Sequence, residues 1–232
     1  MIFVTTDDTS RSALLEFVPE AGGIFLEQTA QSSSDINYGT VEYFGLIIER
    51  LTVQHRLLKL GVNVAIVEAD QIWFKDAGRI VRLMQTELPK HDVVAADDNG
   101  QQLIAGGFVG VRSSERMLRF FESFVSKYKA LLEDAKKRKG RTSKTTYLGD
   151  VGESHQMSRM LKTSDTDVRV KWLDTCDFAR GEWYKQDTYR RRCPSPWLVT
   201  NNWIIGNSAK VERAKKWNHW YLSADQKSCI AV

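Results

Sequence analysis

Cysteine is scarce: the chain holds three, Cys176, Cys193 and Cys229, and no CxxC pair. That argues against zinc ribbons and disulfide-dense scaffolds, and an odd count allows at best one bridge plus a spare thiol, leaving the redox compartment open. Long apolar runs are missing too. No stretch approaches the ~20 residues that span a bilayer, and no charged segment stands ahead of Met1-Ile2-Phe3-Val4 as in a signal peptide. No linker rich in proline and glycine divides the chain. An excess of one charge is also lacking. Thirty-three basic residues against 29 acidic ones give +4, so no nucleic-acid partner is expected from charge alone. What is present is core material: 42% hydrophobic and 10% aromatic residues over 232 positions exclude a wholly disordered chain and predict a single domain spanning residues 1–232.

Short apolar runs alternate with longer helical patterns, which predicts an α/β layered fold. Ile2 to Thr5 and Gly23 to Leu26 read as strands, with a short helix from Ser10 to Val18 between them. A Gln/Ser-rich loop runs on through Ser34. The clearest helix starts at Thr40, a good N-cap, carries Val41, Phe44, Ile48, Leu51 and Leu58 on one face, and stops at Gly61. Val64 to Val67 is apolar on consecutive positions, as a parallel strand buried on both faces should be. Val93 to Ala96 repeats that plan, and Ile104 to Val111 is a third such strand, interrupted by Gly106 and Gly107. A long amphipathic helix follows, capped by Ser114, with Leu118, Phe121, Val125 and Leu132 on its apolar face. The run Lys136 to Arg141 reads as a solvated surface loop reaching Thr146; no aromatic residues interleave with it as stacking platforms for RNA.

The strand ends carry the chemistry. Val64–Val67 stops abruptly in Glu68-Ala69-Asp70, and Val93–Ala96 in Asp97-Asp98. In open α/β sheets ligands sit just beyond the carboxyl ends of strands. Two hard oxygen donors at such an end suit Mn²⁺ or Mg²⁺, whose shell phosphate oxygens and water complete. An isolated E-x-D that merely terminates a strand is the plainer alternative.

The segment from Leu58-Lys59-Leu60-Gly61 through Val67-Glu68-Ala69-Asp70-Gln71-Ile72-Trp73-Phe74-Lys75-Asp76 resembles the signature of the nucleotide-diphospho-sugar transferase family, which holds galactosyl-, xylosyl- and arabinosyltransferases of GT-A type fold. The likeness continues in order. Asp92 to Asp97 and Gly106 to Ser113 are similar to the family's next strand ends, His155-Gln156 falls at an Asp-Gln pair, and Trp172 to Gly181 resembles the strand and turn after it. Pro196-Trp197-Leu198-Val199-Thr200-Asn201-Asn202-Trp203-Ile204-Ile205-Gly206 with Lys210 looks like the closing His-x-Asn-Trp…Gly-x-x-x-Lys element. The ordered set is fairly specific.

The resemblance implies a mostly parallel central sheet with helices on both faces, and a single transferase domain that starts one βα unit late. It implies transfer of a sugar from a UDP-sugar to a hydroxyl of a glycan or glycoprotein. Asp70 takes the metal-binding position and Glu68 the partner position, for Mn²⁺ or Mg²⁺. Asp97, His155 and Gln156 fall where catalytic and acceptor-side groups are expected. Arg50, Gly106, Gly107, Asn202, Gly206 and Lys210 fall at donor-binding positions, with the Lys210 ammonium meeting the diphosphate. Relatives carry a Golgi anchor, so a Golgi lumen is implied although this chain shows no membrane segment. Four departures stand out: Glu68 for Asp, His155 for an acidic residue, Thr200 for a metal-binding His, and the absent first unit. Asn201 or Asn202 could replace that His with a carbonyl oxygen. Trp172, Trp183, Tyr184 and Tyr189 could form an acceptor platform or simply pack. The departures keep a second reading open, a degenerate relative that binds sugar nucleotide or glycan without turnover.

Overall fold

A computed structural model describes residues 2–5, 8–17, 22–25, 40–98, 100, 102–139, 152–163 and 167–223. The chain divides into two compact units, residues 1–36 with 214–232, and residues 37–213. In the first unit, β1 (Ile2–Thr5) and β2 (Gly22–Phe25) pair in parallel, with α1 (Asp8–Phe17) as the crossover between them.

The second unit opens with α2 (Val41–Lys59), whose N-cap Thr40 accepts a hydrogen bond from Tyr43 N at 3.2 Å. It closes at Gly61, in the left-handed region at φ +80° where glycine is unstrained. Then come β3 (Val64–Val67), β4 (Gln71–Trp73), α3 (Ala77–Glu87), β5 (Val93–Asp97), β6 (Ile104–Val111) and α4 (Glu115–Lys139), the last capped by Ser114. After α5 (Glu153–Thr163) follow β7 (Val170–Leu173), β8 (Phe178–Ala179), α6 (Glu182–Lys185), α7 (Asp187–Arg192), β9 (Leu198–Thr200) and α8 (Asn207–Lys216).

The larger sheet has the order β3-β6-β5-β7. Its strands β3, β5 and β7 run in one direction, and β6 lies reversed between β3 and β5. The reversal departs from a third strand of the same sense. Its reason is the short link of residues 98–103, since a parallel return needs a crossover of roughly a dozen residues. β5 is buried at every position, whereas β3 is an edge strand with alternate residues exposed, so the expectation of burial on both faces holds for β5 and fails for β3. A second sheet, β4-β9-β8, is likewise mixed.

Helices cover both faces of the larger sheet. On one, Phe44, Ile48 and Leu51 of α2, Phe121 and Phe124 of α4 and Met157 of α5 pack on Val93, Ala95 and Val109. On the other, Ile80 and Met84 of α3 pack on Val94, Ala96 and Phe108. The alternation along β5 thus feeds two cores at once. The fold is α/β, as the alternating patterns predict. The basic run differs from its expected form: α4 continues through Lys139, so the run begins on a helix, and its end lies outside the described residues.

Candidate functional site

The turn Glu68-Ala69-Asp70 joins β3 to β4 and so links the two sheets. Glu68 N donates to Gly107 O at 3.1 Å, and Asn201 N donates to Asp70 O at 2.9 Å. Gln71 stands opposite Thr200 in the β4–β9 register. The backbone that carries both acids is therefore held from β6 on one side and from the end of β9 on the other.

Each acid faces a cation from a distant part of the chain. Lys210 Nζ of α8 donates to Asp70 Oδ2 at 2.7 Å. Arg50 Nη1 of α2 donates to Glu68 Oε1 at 3.1 Å, and its Nη2 pairs with Glu153 of α5. Burial opposes the charge on Arg50, but the Glu153 and Glu68 carboxylates outweigh it and raise its pKa. Burial pushes Glu153 upward in turn, against the pull of Arg50. Arg50 thus bridges two carboxylates, one on the Glu68-Ala69-Asp70 turn and one on α5.

Some carboxylate capacity stays open. Asp70 Oδ1 is buried with no hydrogen-bond partner among the described residues, and Glu68 Oε2 lies over Gly107, where a Cβ would stand 3.0 Å from it. The glycine leaves room beside the carboxylate that any side chain would fill. Among the described residues no group of three or more His, Cys, Asp or Glu gathers around one point. Carboxylate oxygens are hard donors of the kind a divalent cation takes together with phosphate and water. Thr200 adds no third ligand of that quality, because its Oγ1 is paired with Gln71 Nε2 at 3.3 Å.

The closing segment is clamped tightly. Asn201 Oδ1 accepts from Arg213 Nε at 2.6 Å, while its Nδ2 donates to Lys210 O at 2.9 Å. Asn202 Oδ1 accepts from Gly181 N at 2.6 Å, and Asn202 O accepts from Arg213 Nη2 at 2.6 Å. Both asparagine side-chain oxygens are therefore engaged within the protein, which argues against either taking the place of the missing histidine. Gly206 precedes α8 at φ +92°, and its carbonyl accepts from Lys210 N at 3.2 Å. This network fixes the turn of α8 that points Lys210 at Asp70.

The other nominated residues lie on β5, β6 and α5. Asp97, at the end of β5, accepts from Gly100 N and Gln102 N at 3.0 Å and from Leu103 N at 3.3 Å. Its carboxylate shapes the link to β6. Gly106 lies within β6, beside Gly107. On α5, His155 is exposed and Gln156 buried. Sequence reasoning passed over Asp98, the next acid after Asp97. Burial pushes its carboxyl up, opposed by Arg180 and His155. The doubled acid Asp97-Asp98 was the available signal, but nothing local distinguishes the loop-shaping member from the one facing Arg180. Cys176 and Cys193 form a disulfide; Cys229 lies outside the described residues.

Charged groups gather here beyond a strand end of an α/β sheet, the position where ligands of such folds bind. The family model described as nucleotide-diphospho-sugar transferase matches residues 1–214. The chain belongs to that family. It is similar to a UDP-galactose:fucoside alpha-3-galactosyltransferase of Dictyostelium discoideum, 22% identical over 82% of this chain and 30% of that protein. It is also similar to the beta-arabinofuranosyltransferase RAY1 of Arabidopsis thaliana, 23% identical over 99% of this chain and 44% of that protein. The chain thus spans less than half the length of either relative. Among solved structures, mouse xyloside xylosyltransferase 1 in its apo form gives a TM-score of 0.48 at 11% identity, covering 90% of this chain and 84% of that one. A glycosyltransferase involved in glycosylation of the PBCV-1 major capsid gives 0.46 at 10% identity, covering 94% and 98%.

Proposed function

We propose that this protein transfers a sugar from a UDP-sugar to a hydroxyl of a glycan or glycoprotein, with a divalent cation, Mn²⁺ or Mg²⁺, at Asp70 and Glu68. The observation that carries the reading is the contact of Lys210 with Asp70, which sets a mobile-headed cation beside a strand-end carboxylate. A diphosphate entering there meets the Lys210 ammonium as a point charge. The bound cation would neutralise the departing nucleoside diphosphate. Arg50 holds Glu68 in place, Gly107 leaves room next to it, and Gly206 and Asn202 hold the closing segment against the site. Gly106, Asp97, His155 and Gln156 sit at or behind the sugar side in this reading. The UDP donor class draws support from the name of the Dictyostelium relative. A Golgi lumen, the location proposed, agrees with the Cys176–Cys193 disulfide, a bond that persists in oxidising compartments.

A second reading, binding without turnover, is favoured by Asp97, because both of its oxygens hold backbone amides, and by Thr200 in place of a metal-binding His. Thermal shift with UDP, GDP and several UDP-sugars, each with and without Mn²⁺, separates these ideas from a non-nucleotide function. A ligand at 100 times its Kd adds about 2.7 kcal/mol to native stability. Divalent-dependent release of UDP from a sugar donor then distinguishes the enzyme from the binding relative. Absence of any shift with every nucleotide would refute the transferase and reduce the second reading to a glycan binder.

A further inference from the structure

Of the four aromatic residues that the sequence nominates for an acceptor platform, none presents an open ring. Tyr184 and Tyr189 are buried, the latter donating to Thr175 O at 2.7 Å. Trp172 is partly buried against the α2–α4 core. Trp183 donates to Cys193 O at 3.0 Å and packs on Phe74 and Tyr184.

Trp203 is different. It is 49% exposed, and its backbone sits in the left-handed region at φ +62°. A bulky residue there is strained, and such strain persists only where neighbours enforce it. The neighbours do enforce it. Asn202, the residue before it, is clamped by Gly181 and Arg213, and Gly181 has no room for even a Cβ, which would stand 1.9 Å from Asn202 O. Asn201, one residue earlier, is bonded to the Asp70 backbone, so the ring stands two residues from the proposed nucleotide site.

Around the ring lie polar groups with hydrogen-bonding capacity. The Arg180 guanidinium is 5.2 Å from its centroid, and the Lys185 ammonium is 5.9 Å away. Arg180 pairs with Glu182 and lies 4.0 Å from Asp98 Oδ1, and its buried Nε and Nη1 have no hydrogen-bond partner among the described residues. A half-open aromatic surface with a guanidinium standing over it suits a ligand with an apolar face and a hydroxyl edge. A sugar ring is that ligand.

We propose that Trp203 is the stacking platform for a sugar ring of the acceptor glycan, with Arg180 holding the ring in place. The proposal deepens the glycosyltransferase reading and rests on it for the word acceptor.

The test uses the full chain and its Trp203→Gly and Trp203→Tyr variants. Probes are methyl glycosides of galactose, glucose, mannose and arabinose, followed by saturation-transfer NMR and titration in the presence of UDP. UDP and uridine affinities and Tm are measured alongside. Glycine adopts φ +62° freely, so Trp203→Gly should melt at or above the wild-type temperature. It should also lose glycoside affinity about tenfold or more while holding UDP within about twofold. Trp203→Tyr should recover most of the glycoside signal. Unchanged glycoside binding in Trp203→Gly overturns the platform, as does a wild type that binds UDP but none of the glycosides. Loss of uridine binding in that variant also overturns it, because the ring would then stack on the base. Glycoside binding through Trp203 in a protein that ignores UDP would sink the transferase reading and leave the sugar platform standing.

Discussion

Replacing Lys210 with methionine, which keeps the stem and removes the charge, tests the centre of the proposed site. The Lys210 side chain is 30% exposed, that of Asp70 is 19% exposed, and their charges lie 2.7 Å apart. At that separation the Coulomb attraction is about 6 kcal/mol at an effective dielectric of ~20 and about 1.5 kcal/mol in bulk water. Desolvation and side-chain ordering cancel much of this, so a net contribution of about 1–2 kcal/mol is the working figure. Without a nucleotide the ammonium competes with a divalent cation for Asp70. Lys210→Met should therefore bind Mn²⁺ alone more tightly, by roughly 5–30-fold. UDP should weaken by a similar factor of about tenfold in the same variant while uridine is unaffected, since only the diphosphate uses the charge. Isothermal calorimetry on both proteins, with Mn²⁺, UDP and uridine titrated separately, reads all three numbers. Equal losses for UDP and uridine would remove Lys210 from the diphosphate. Mn²⁺ binding no tighter than in wild type would refute the idea that lysine and metal share Asp70.

Asp92 is buried, bonded to Arg116 Nη1 at 2.8 Å and Arg169 N at 2.9 Å. Burial alone would raise its pKa, but those partners more than offset it and hold it below the usual carboxylate value. A depressed folded pKa gives stability that is present above about pH 4 and lost as pH falls through the folded value. Asp92→Asn should thus destabilise by about 2–3 kcal/mol near neutrality in urea unfolding, and the gap should narrow below about pH 4. Removing the Cys176–Cys193 bond, which closes a separation of 17 residues, with paired alanines should lower stability by about 3 kcal/mol. Dithiothreitol should lower wild type equally and the double variant not at all. Gly181→Ala would drive a Cβ into Asn202 O at 1.9 Å, so a loss of about 1–3 kcal/mol by thermal unfolding is expected. UDP affinity should fall with it, because the same carbonyl region anchors the closing segment.

Much of the frame is local in origin and was legible from the chain alone. The caps at Thr40 and Ser114, the apolar face of α2, the stop at Gly61 and the strand-end acids all act within a few residues, where spacing and backbone preference decide the outcome. The ordered motifs from Leu58 to Lys210 likewise marked the family. What the sequence by itself could not determine is which distant groups meet. The reversal of β6 follows from loop length, but β3 becomes an edge only because, among the described residues, no further strand pairs with its other side. Lys210 and Asp70 lie 140 residues apart in sequence, and their contact exists because β4 pairs with β9 and Asn201 then turns α8 toward the strand end. Arg50 joins acids from the end of β3 and from α5, elements brought to it by packing around α4 and β6, and the backbone before Trp203 is held by Gly181, which is remote in sequence. Local interactions select elements, whereas a site assembled between elements depends on chain closure and packing that no short window of residues encodes.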